Sequence, residues 1–194
     1  MPGGGALLID EIVKWTSLGD LLDYTQPTKY IVSSTEYSDE YDVPVLTAGQ
    51  TFILGYTNET ENIYNATKDN AVIVFDDFTT ATKWVDFPFK VKSSAMKILT
   101  AKDGVNLRYV NYAMQCIKYD TVEHSRQWIS KYSELQIAMP PVEVQQWIVE
   151  VLDKFDKLVN DLTEGLPAEI EARRKQYKYY RDTLLNFKEI DIEE

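Results

Sequence analysis

The sequence predicts an α+β fold, in which one mixed globular domain is followed by a long C-terminal helical arm with a coiled-coil-like pattern. Short apolar runs that are typical of strands occupy the first part of the chain and do not alternate regularly with helical segments, which disfavours a doubly wound sheet. After residue 141 the apolar residues recur with the period of a helix. A chain of 194 residues is long enough for one domain with such an appendage.

The predicted elements of the globular domain, residues 1–139, begin with an amphipathic helix at 6–14 and a turn at 15–20. Residues 24–41 are polar, and we expect them to be irregular. Short strands are predicted at 43–46, 52–54, 71–75, 87–91, 95–99 and 135–139. The spacing of Leu107, Val110, Met114 and Ile117 predicts one helix face. Residues 76–84 are too polar for a core and too aromatic for a plain loop.

The predicted arm, residues 140–188, begins at Pro140-Pro141, which cannot lie inside a helix. Glycine favours a helix end and proline the first turn of a new helix, so Gly165 and Pro167 predict a break at 164–167. The sequence leaves open whether the arm is a kinked rod or a hairpin, and residues 189–194 form a tail. An apolar seam with nearly heptad spacing runs through both halves of the arm and comprises Ile148, Phe155, Leu162, Ile170, Tyr177 and Leu184.

Two interpretations of the arm are open: a terminal helix that packs on its own domain, and an exposed arm that binds another copy or another subunit. The second is favoured because the arm is about a quarter of the chain and follows a Pro-Pro boundary. An apolar seam left in water would be a large exposed stripe, which monomeric proteins avoid. The seam therefore predicts a two-fold homodimer with antiparallel arms.

The charge of the chain is unevenly distributed along the sequence. The net charge of −11 argues at first sight against nucleic acid. Residues 1–82 carry three lysines against thirteen acidic residues, whereas residues 83–131 carry nine Lys and Arg against four acidic residues. The basic segment is consistent with a solvated face or with a site for a polyanion. A lone cysteine, Cys116, and the absence of an apolar run of ~20 residues predict a cytoplasmic protein.

The sequence predicts no catalytic residue, no metal site and no bound cofactor. It has no Walker loop, and Pro140-Pro141 lacks the polar and aromatic flanks of an adenine methyltransferase motif. His124 is the only histidine, which excludes a multi-histidine zinc site. The pair Asp76-Asp77 has no nuclease-like lysine nearby, so a turn-capping role is favoured over a metal site. Cys116 lies on the predicted apolar helix and is expected to be packed.

Two stretches of the chain resemble the specificity subunits of Type I restriction-modification systems. Residues 138–146, Ala-Met-Pro-Pro-Val-Glu-Val-Gln-Gln, are similar to the strand, Pro-Pro and helix junction of that family, and residues 149–162 with 165–177 resemble its helical spacer. Residues 44–50 through 75–80 resemble one type of target recognition domain. Family members usually carry two recognition domains and two spacers. This chain has one of each and so resembles half a subunit.

The resemblance implies a DNA recognition subunit without a catalytic site of its own. In the family, each recognition domain binds one half of a split target, and the paired helices set the gap and hold methyltransferase subunits. Those partners use S-adenosylmethionine, and a separate nuclease subunit uses ATP. The implied partners are double-stranded DNA, methyltransferase subunits and a second copy of the chain. The alternatives are an interaction adaptor that uses the arm without touching DNA, and an enzyme whose site is unrecognised.

The resemblance also implies where DNA contacts would lie. Phosphate contacts are expected from the basic segment, and base-edge contacts from polar side chains on loops. The expected DNA-contacting residues are Thr79, Thr80, Thr82, Lys83, Lys90, Lys92, Arg126 and Gln127. For the threonines, hydrogen bonding within the loop is the alternative. Trp84 and Trp128 are expected to anchor the core rather than to stack on bases.

Overall fold

The computed structural model describes residues 13–47, 51–119, 126–129, 131–161 and 167–187. Helices and strands are mixed along these ranges, which confirms the predicted α+β class. The chain divides into two compact units: one comprises 18–107 and 118–135, and the other comprises 1–17, 108–117 and 136–194. Each unit joins distant segments of the chain, so this division does not test the predicted domain boundary between residues 139 and 140. That boundary stays a prediction.

The described residues form nine strands and four α-helices, with two 3-10 helices at Pro27–Tyr30 and Tyr132–Glu134. In chain order the elements are β1 (Lys14–Ser17), α1 (Leu18–Leu21), β2 (Leu22–Thr25), β3 (Val43–Leu46), β4 (Ile53–Thr57), β5 (Val72–Asp76), β6 (Thr82–Val85), β7 (Lys90–Val91), β8 (Met96–Ala101), α2 (Leu107–Cys116), β9 (Gln136–Met139), α3 (Val142–Asp161) and α4 (Pro167–Leu184). No helix in the described ranges is both long and apolar enough to cross a membrane.

The first unit is built on a four-stranded antiparallel sheet in the order β2-β8-β5-β6. All five residues of β5 are buried, because this strand has a neighbour on each edge and side chains packed on both faces. Its sequence Val-Ile-Val-Phe is rich in the β-branched and aromatic residues that fit such a position. The sheet therefore fixes the point at which β5 ends, at Asp76.

Each face of this sheet is covered by a different part of the unit. On one face, Val72, Val74 and Ile98 join a core cluster with Leu46 and Phe89, from the region of a second sheet. That sheet has the order β4-β3-β7, in which β3 is antiparallel to β4 and parallel to β7. On the other face, the ring of Phe75 lies 5.1 Å from that of Trp128 and 4.8 Å from that of Tyr132. These packed faces leave the turns at the strand ends to carry polar side chains.

The second unit contains the antiparallel ribbon β1–β9 and the helices α2, α3 and α4. The rings of Phe155 on α3 and Tyr180 on α4 are stacked, with centroids 5.1 Å apart. In one continuous helix these residues would be separated by about 37 Å. The helices therefore fold back on one another, which excludes the rod. Helix α3 ends at Asp161 and helix α4 begins at Pro167, which lies in its first turn as the sequence predicted.

Some local predictions were wrong, and long-range pairing explains why. The helix predicted at 6–14 lies outside the described residues up to residue 12, and Lys14 belongs to strand β1. The turn predicted at 15–20 is strand β1 followed by α1, because β1 pairs with β9 from far along the chain. Residues 82–85 form strand β6, although the sequence did not predict it. Only Lys90–Val91 of the predicted strand 87–91 is paired as β7.

Candidate nucleic-acid interface

The turn between β5 and β6 is organised by the carboxylate of Asp76. Its Oδ1 accepts hydrogen bonds from the N–H of Phe78 at 2.9 Å and of Thr79 at 3.3 Å, and its Oδ2 accepts one from the Thr79 hydroxyl at 2.6 Å. The N–H of Thr80 donates to the Asp76 carbonyl at 2.9 Å, and the N–H of Asp76 donates to the Ala81 carbonyl at 2.8 Å. Asp76 thus has the turn-capping role that the sequence favoured.

The same turn contains a residue in the left-handed backbone region. Thr80 has φ 61°, which is uncommon for a non-glycine residue and most unfavourable for a β-branched one. Its hydroxyl donates to the carbonyl of Thr79 at 2.7 Å. Such backbone strain persists only where the surrounding contacts determine the conformation, and here the bonds to Asp76 do so. The exposed tip of the hairpin is therefore held in one defined shape.

The next residue, Asp77, fixes the segment 126–128 to the same end of the sheet. The N–H of Gln127 donates to the Asp77 carbonyl at 2.9 Å, and the N–H of Trp128 donates to the Asp77 carboxylate at 2.9 Å. The other carboxylate oxygen pairs with the ammonium of Lys97 at 2.8 Å, and these two side chains are 0% and 1% exposed. Asp77 therefore joins the end of β5 to a segment about fifty residues further along the chain.

A chain of polar contacts leads from this buried pair to an exposed arginine. The Lys97 ammonium donates to the side-chain oxygen of Gln26 at 2.6 Å, and the Gln26 amide donates to the carbonyl of Ser94 at 3.0 Å. The guanidinium of Arg126 donates to the Ser94 hydroxyl at 3.3 Å. The ring of Tyr24, 46% exposed, lies beside the same network with its centroid 5.9 Å from the Lys97 ammonium. Arg126 is thus an exposed side chain whose guanidinium is held by a hydrogen bond to Ser94.

Most of the predicted DNA-contacting residues are at least partly accessible. The β5–β6 hairpin brings four of them together. Of these, Thr79 and Lys83 are exposed, and Thr80 and Thr82 are half-buried. Lys92 is half-buried, and Arg126 is exposed. The ammonium groups of Lys83 and Lys92 lie near aromatic faces, at 5.9 Å from the Phe52 ring centroid and 5.8 Å from that of Tyr37.

Two of the predicted DNA-contacting residues have internal roles instead. Lys90 is 2% exposed, pairs with the carboxylate of Glu59 at 2.8 Å and donates to the Glu61 carbonyl at 2.8 Å. Gln127 is 3% exposed, and its side-chain oxygen accepts the hydroxyl of Tyr119 at 3.0 Å. Neither side chain can reach a phosphate or a base edge from these positions. We correct both predictions on this ground.

Trp128 is a core residue, as the sequence predicted. It is 2% exposed and packs against Phe75, and the ring of Tyr132 lies 6.2 Å from its own. Trp84 is half-buried on β6, opposite Ile73 of β5 in the sheet register. Both tryptophans thus serve the packing of the sheet that carries the turn.

Polar residues that sequence reasoning missed include Gln26, Ser94 and Lys97. They come from two separate stretches, since Ser94 and Lys97 are only three residues apart, and only the pairing of β8 with β2 and β5 brings them beside Asp77. A signal was available for Lys97: it is a lone charge inside the apolar strand run predicted at 95–99, and a charge in such a place needs a partner. No local signal identifies Gln26 or Ser94.

The helices of the second unit are held by ionic and aromatic contacts. The guanidinium of Arg108 on α2 donates to Asp153 at 2.7 Å and to Asp156 at 3.2 Å on α3, and the Tyr112 hydroxyl donates to Asp153 at 2.5 Å. Burial raises the pKa of Tyr177 on α4 to about 12, and the nearby Asp156 carboxylate acts in the same direction. The helices thus cover part of their own seam within one chain.

The predicted interface residues differ in their surroundings. Ile148 is 1% exposed, so the chain itself covers this side chain. Phe155, Tyr177 and Leu184 are half-buried. Leu162 lies outside the described residues, as does the side chain of Ile170. Large exposed side chains on these helices are Val142 and Trp147, each 54% exposed, Tyr179, 66% exposed, and Tyr180, 38% exposed. Their assignment to an interface stays a prediction.

In the part of the chain that the structure describes, no cluster of three or more His, Cys, Asp or Glu residues could hold a metal ion. His124 lies outside the described residues. Burial raises the pKa of the Cys116 thiol to about 11, and this thiol lies 3.7 Å from the carboxylate of Asp182. A thiol with such a raised pKa is a poor nucleophile at neutral pH.

Comparisons with known proteins agree with the resemblance seen in the sequence. The family model described as Type I restriction modification DNA specificity domain matches residues 12–172. The chain is 51% identical over 198 residues to the Type I restriction enzyme EcoR124I/EcoR124II specificity subunit of Escherichia coli, covering 96% of this chain and 48% of that protein. A putative type I restriction enzyme specificity subunit of Haemophilus influenzae is 52% identical over 54 residues, which are 28% of this chain and 14% of that protein.

Two solved structures share the fold at low sequence identity. The S subunit of a Type I restriction-modification system from M. genitalium aligns with a TM-score of 0.62 and 17% identity over 84% of this chain and 43% of that chain. The HsdS subunit from Thermoanaerobacter tengcongensis aligns with a TM-score of 0.52 and 16% identity over 95% of this chain and 47% of that chain. The chain thus spans about half the length of the first relatives that it matches.

Proposed function

The chain belongs to the family of Type I restriction modification DNA specificity domains, and on this basis we propose that it recognises one half of a bipartite DNA target in a sequence-specific manner. The observation that carries the proposal is the family match over 12–172, supported by 51% identity along nearly the whole chain to a specificity subunit. No observation favours the adaptor that would use the helices without DNA.

The end of the four-stranded sheet is the proposed DNA-contacting surface. The β5–β6 turn presents Thr79, Thr80, Thr82 and Lys83, and Arg126 extends from the segment that Asp77 fixes. Arginine forms bidentate contacts with guanine, whereas threonine hydroxyls contact bases or phosphates. We assign base-edge contact to Arg126 and phosphate contact to Lys83 and Lys92. The overall acidity, with a net charge of −11, suits a module that binds DNA tightly only within a larger assembly.

We propose that the partners are methyltransferase subunits, and a nuclease subunit in the full restriction complex. The chain itself then needs no cofactor, while S-adenosylmethionine and ATP bind to the partners. We expect the purified chain, supplied with S-adenosylmethionine, ATP and magnesium, neither to methylate nor to cut DNA. Methyl transfer by the isolated chain would contradict the proposal. A cytoplasmic location, where such partners meet DNA, is part of the same proposal.

The direct test of DNA recognition maps the methylated sites in cells that carry this chain and its methyltransferase subunit. We expect methylation at one short sequence motif, which disappears when the chain is removed. A gel shift of duplex DNA in increasing salt, with and without the methyltransferase subunit, measures the phosphate contribution. Methylation that is unchanged without the chain would exclude a recognition role.

We further propose that α3 and α4 pair with a second copy and there form the coiled-coil-like arm that the heptad spacing predicts. The exposed aromatic side chains Trp147, Tyr179 and Tyr180 support this proposal, because aromatic residues are enriched in protein interfaces. Two-fold pairing would place two identical recognition units on one DNA molecule. The target would then be an interrupted inverted repeat.

A further inference from the structure

We propose that Asp77 and Lys97 are positioning residues for DNA recognition: the buried pair holds the Arg126 segment in a fixed position relative to the β5–β6 turn. This inference rests on the proposed function. It adds that the Asp77–Lys97 pair keeps the two proposed DNA-contacting segments, the β5–β6 turn and residues 126–128, in one relative position. Neither Asp77 nor Lys97 can touch DNA itself, because their side chains are 0% and 1% exposed.

The backbone around Asp77 bonds to two other parts of the unit. Its own N–H donates to the Ala95 carbonyl at 3.0 Å, its carbonyl accepts from Gln127 at 2.9 Å, and its carboxylate accepts from Trp128 at 2.9 Å. The residue before it, Asp76, holds the turn that carries Thr79. Asp76 and Asp77 are adjacent residues, and their Cα atoms are about 3.8 Å apart. The turn that Asp76 holds and the segment that Asp77 holds therefore cannot move independently.

Lys97 connects the Asp77 carboxylate, through Gln26, to the residue that holds the Arg126 guanidinium, Ser94. Its ammonium contacts Asp77 at 2.8 Å and the Gln26 oxygen at 2.6 Å, and Gln26 donates to the Ser94 carbonyl at 3.0 Å. Arg126 donates to the hydroxyl of Ser94 at 3.3 Å. Arg126 is therefore anchored through the neighbouring backbone at Asp77 and through its own guanidinium at Ser94.

The same unit contains a second buried lysine with a carboxylate partner. Lys90 and Glu59 are joined at 2.8 Å, and Glu59 accepts hydrogen bonds from the N–H groups of Ser33 and Ser34 at 2.7 and 2.9 Å. None of these contacts involves the β5–β6 turn or Arg126. The unit thus offers a matched control: two buried lysines, each with a carboxylate partner, of which one pair bonds to the segment beside Arg126.

Ionic groups in a protein interior are costly to desolvate, and an apolar replacement of such a pair is often neutral or stabilising. A buried pair is therefore weak evidence for stability. Here the pair instead fixes the relative geometry of the segments that bond to it. Contacts to base edges need this geometry because a bidentate hydrogen bond is lost by a small displacement.

The experiment uses the full chain assembled with the methyltransferase subunits and two DNA probes. Selection from a randomised duplex pool gives the most enriched duplex, and a shuffled copy of it is the second probe. The measured quantity is the ratio of affinities for these two duplexes. We expect Asp77→Asn and Lys97→Met each to lower this ratio by about tenfold, whereas Lys90→Met lowers the unfolding temperature and leaves the ratio unchanged.

A cycle with Arg126→Ala separates positioning from a general loss of stability. If Asp77 acts through Arg126, the double variant has the same affinity ratio as Arg126→Ala alone. Losses that multiply in the double variant, or a ratio that falls equally in Lys90→Met, would overturn the inference. If Asp77→Asn fails to fold, Gln26→Met removes the contacts of this half-buried side chain with both Lys97 and Ser94 and leaves the Asp77–Lys97 pair in place, and an unchanged ratio there overturns the inference as well. A wild-type ratio near one would instead refute the proposed function.

Discussion

At the scale of single residues, the lysines of the basic segment divide into two groups. Lys83 is exposed on the hairpin, whereas Lys90 and Lys97 are 2% and 1% exposed and paired with carboxylates. The alternation of side chains along a strand decides which lysine faces inward. A count of basic residues in the sequence therefore overestimates the positive charge available to a polyanion.

Replacing Lys83 or Lys92 by alanine should weaken DNA binding about equally for all sequences. Each lost phosphate contact should reduce the slope of log affinity against log salt by about 0.9 for duplex DNA. The measurement is a salt titration of binding to the preferred and the shuffled duplex. Lys90→Met is the control, since this buried side chain should leave the slope unchanged. A loss restricted to the preferred duplex would assign a base contact to Lys83 or Lys92.

The Lys90–Glu59 pair should make stability depend on pH in the acid range. The Lys90 hydrogen bond holds the pKa of Glu59 below its ordinary value of 4.5, and the N–H groups of Ser33 and Ser34 act in the same direction. A lowered folded-state pKa contributes stability that is present above pH 4.5 and is lost as the pH falls through the folded-state pKa.

We therefore expect the free energy of unfolding to fall with decreasing pH in this window, and to fall less steeply in Lys90→Met. Urea unfolding at a series of pH values measures both. Glu59→Gln removes the titrating group and serves as the control. A wild-type stability that stays constant below pH 4.5 would show that this pair contributes nothing measurable.

At the scale of elements, the β5–β6 turn combines a stabilising cap with an unfavourable backbone conformation. The hydrogen bonds to the Asp76 carboxylate lock the turn, and Thr80 has φ 61° within it. A glycine in this position would meet no steric penalty. The presence of a β-branched residue there is consistent with a role for its side chain at the proposed DNA surface.

Thr80→Gly should raise the free energy of unfolding by about 1 kcal/mol, because it relieves the left-handed strain at a position of the turn. The same change should reduce discrimination between the preferred and the shuffled duplex if the Thr80 side chain contacts DNA. Thr79→Ala is the matched control: it should lower stability by about 1 kcal/mol, because it removes the hydroxyl that bonds to Asp76. A destabilised Thr80→Gly would show that the side chain itself supports the turn.

At the scale of the whole molecule, the helices of the second unit both cover and expose apolar surface. Ile148 and Leu152 of α3 are 1% and 0% exposed, and Phe155 stacks on Tyr180. Trp147 and Tyr179 remain 54% and 66% exposed. The internal packing removes part of the seam from water, so any pairing of two copies would have to use the outer aromatic residues as well.

A dimer should therefore depend on Trp147 and Tyr179. We expect the chain to sediment as a dimer at micromolar concentration, and a Trp147→Asp, Tyr179→Asp variant to sediment as a monomer with unchanged circular dichroism. Leu54→Asp is the control, since Leu54 is 41% exposed on β4 in the other unit and its change should leave the dimer intact. A monomeric wild type, or a methylation target whose two halves differ, would refute two-fold pairing.

Some features of this protein were predictable because they depend on neighbouring residues. The strand at 43–46, the buried run that became β5, the helix that begins at Leu107 and the start of a helix at Pro167 all follow from local propensity and apolar spacing. The same is true of the Asp76 cap, whose partners lie within a few residues of it. The junction at Pro140-Pro141 and the helical stretch behind it also identified the family.

Tertiary structure alone decided which predicted residues could meet DNA. Lys83 and Lys90 both belong to the basic segment 83–131, yet Lys90 pairs with Glu59 inside the fold and Lys83 is exposed. The pairing of β1 with β9, and the network from Lys97 to Arg126, join residues far apart in the chain. Local sequence specifies the conformation of a segment, but burial and ion pairing depend on what packs against it. Those neighbours are set only when the whole chain has folded.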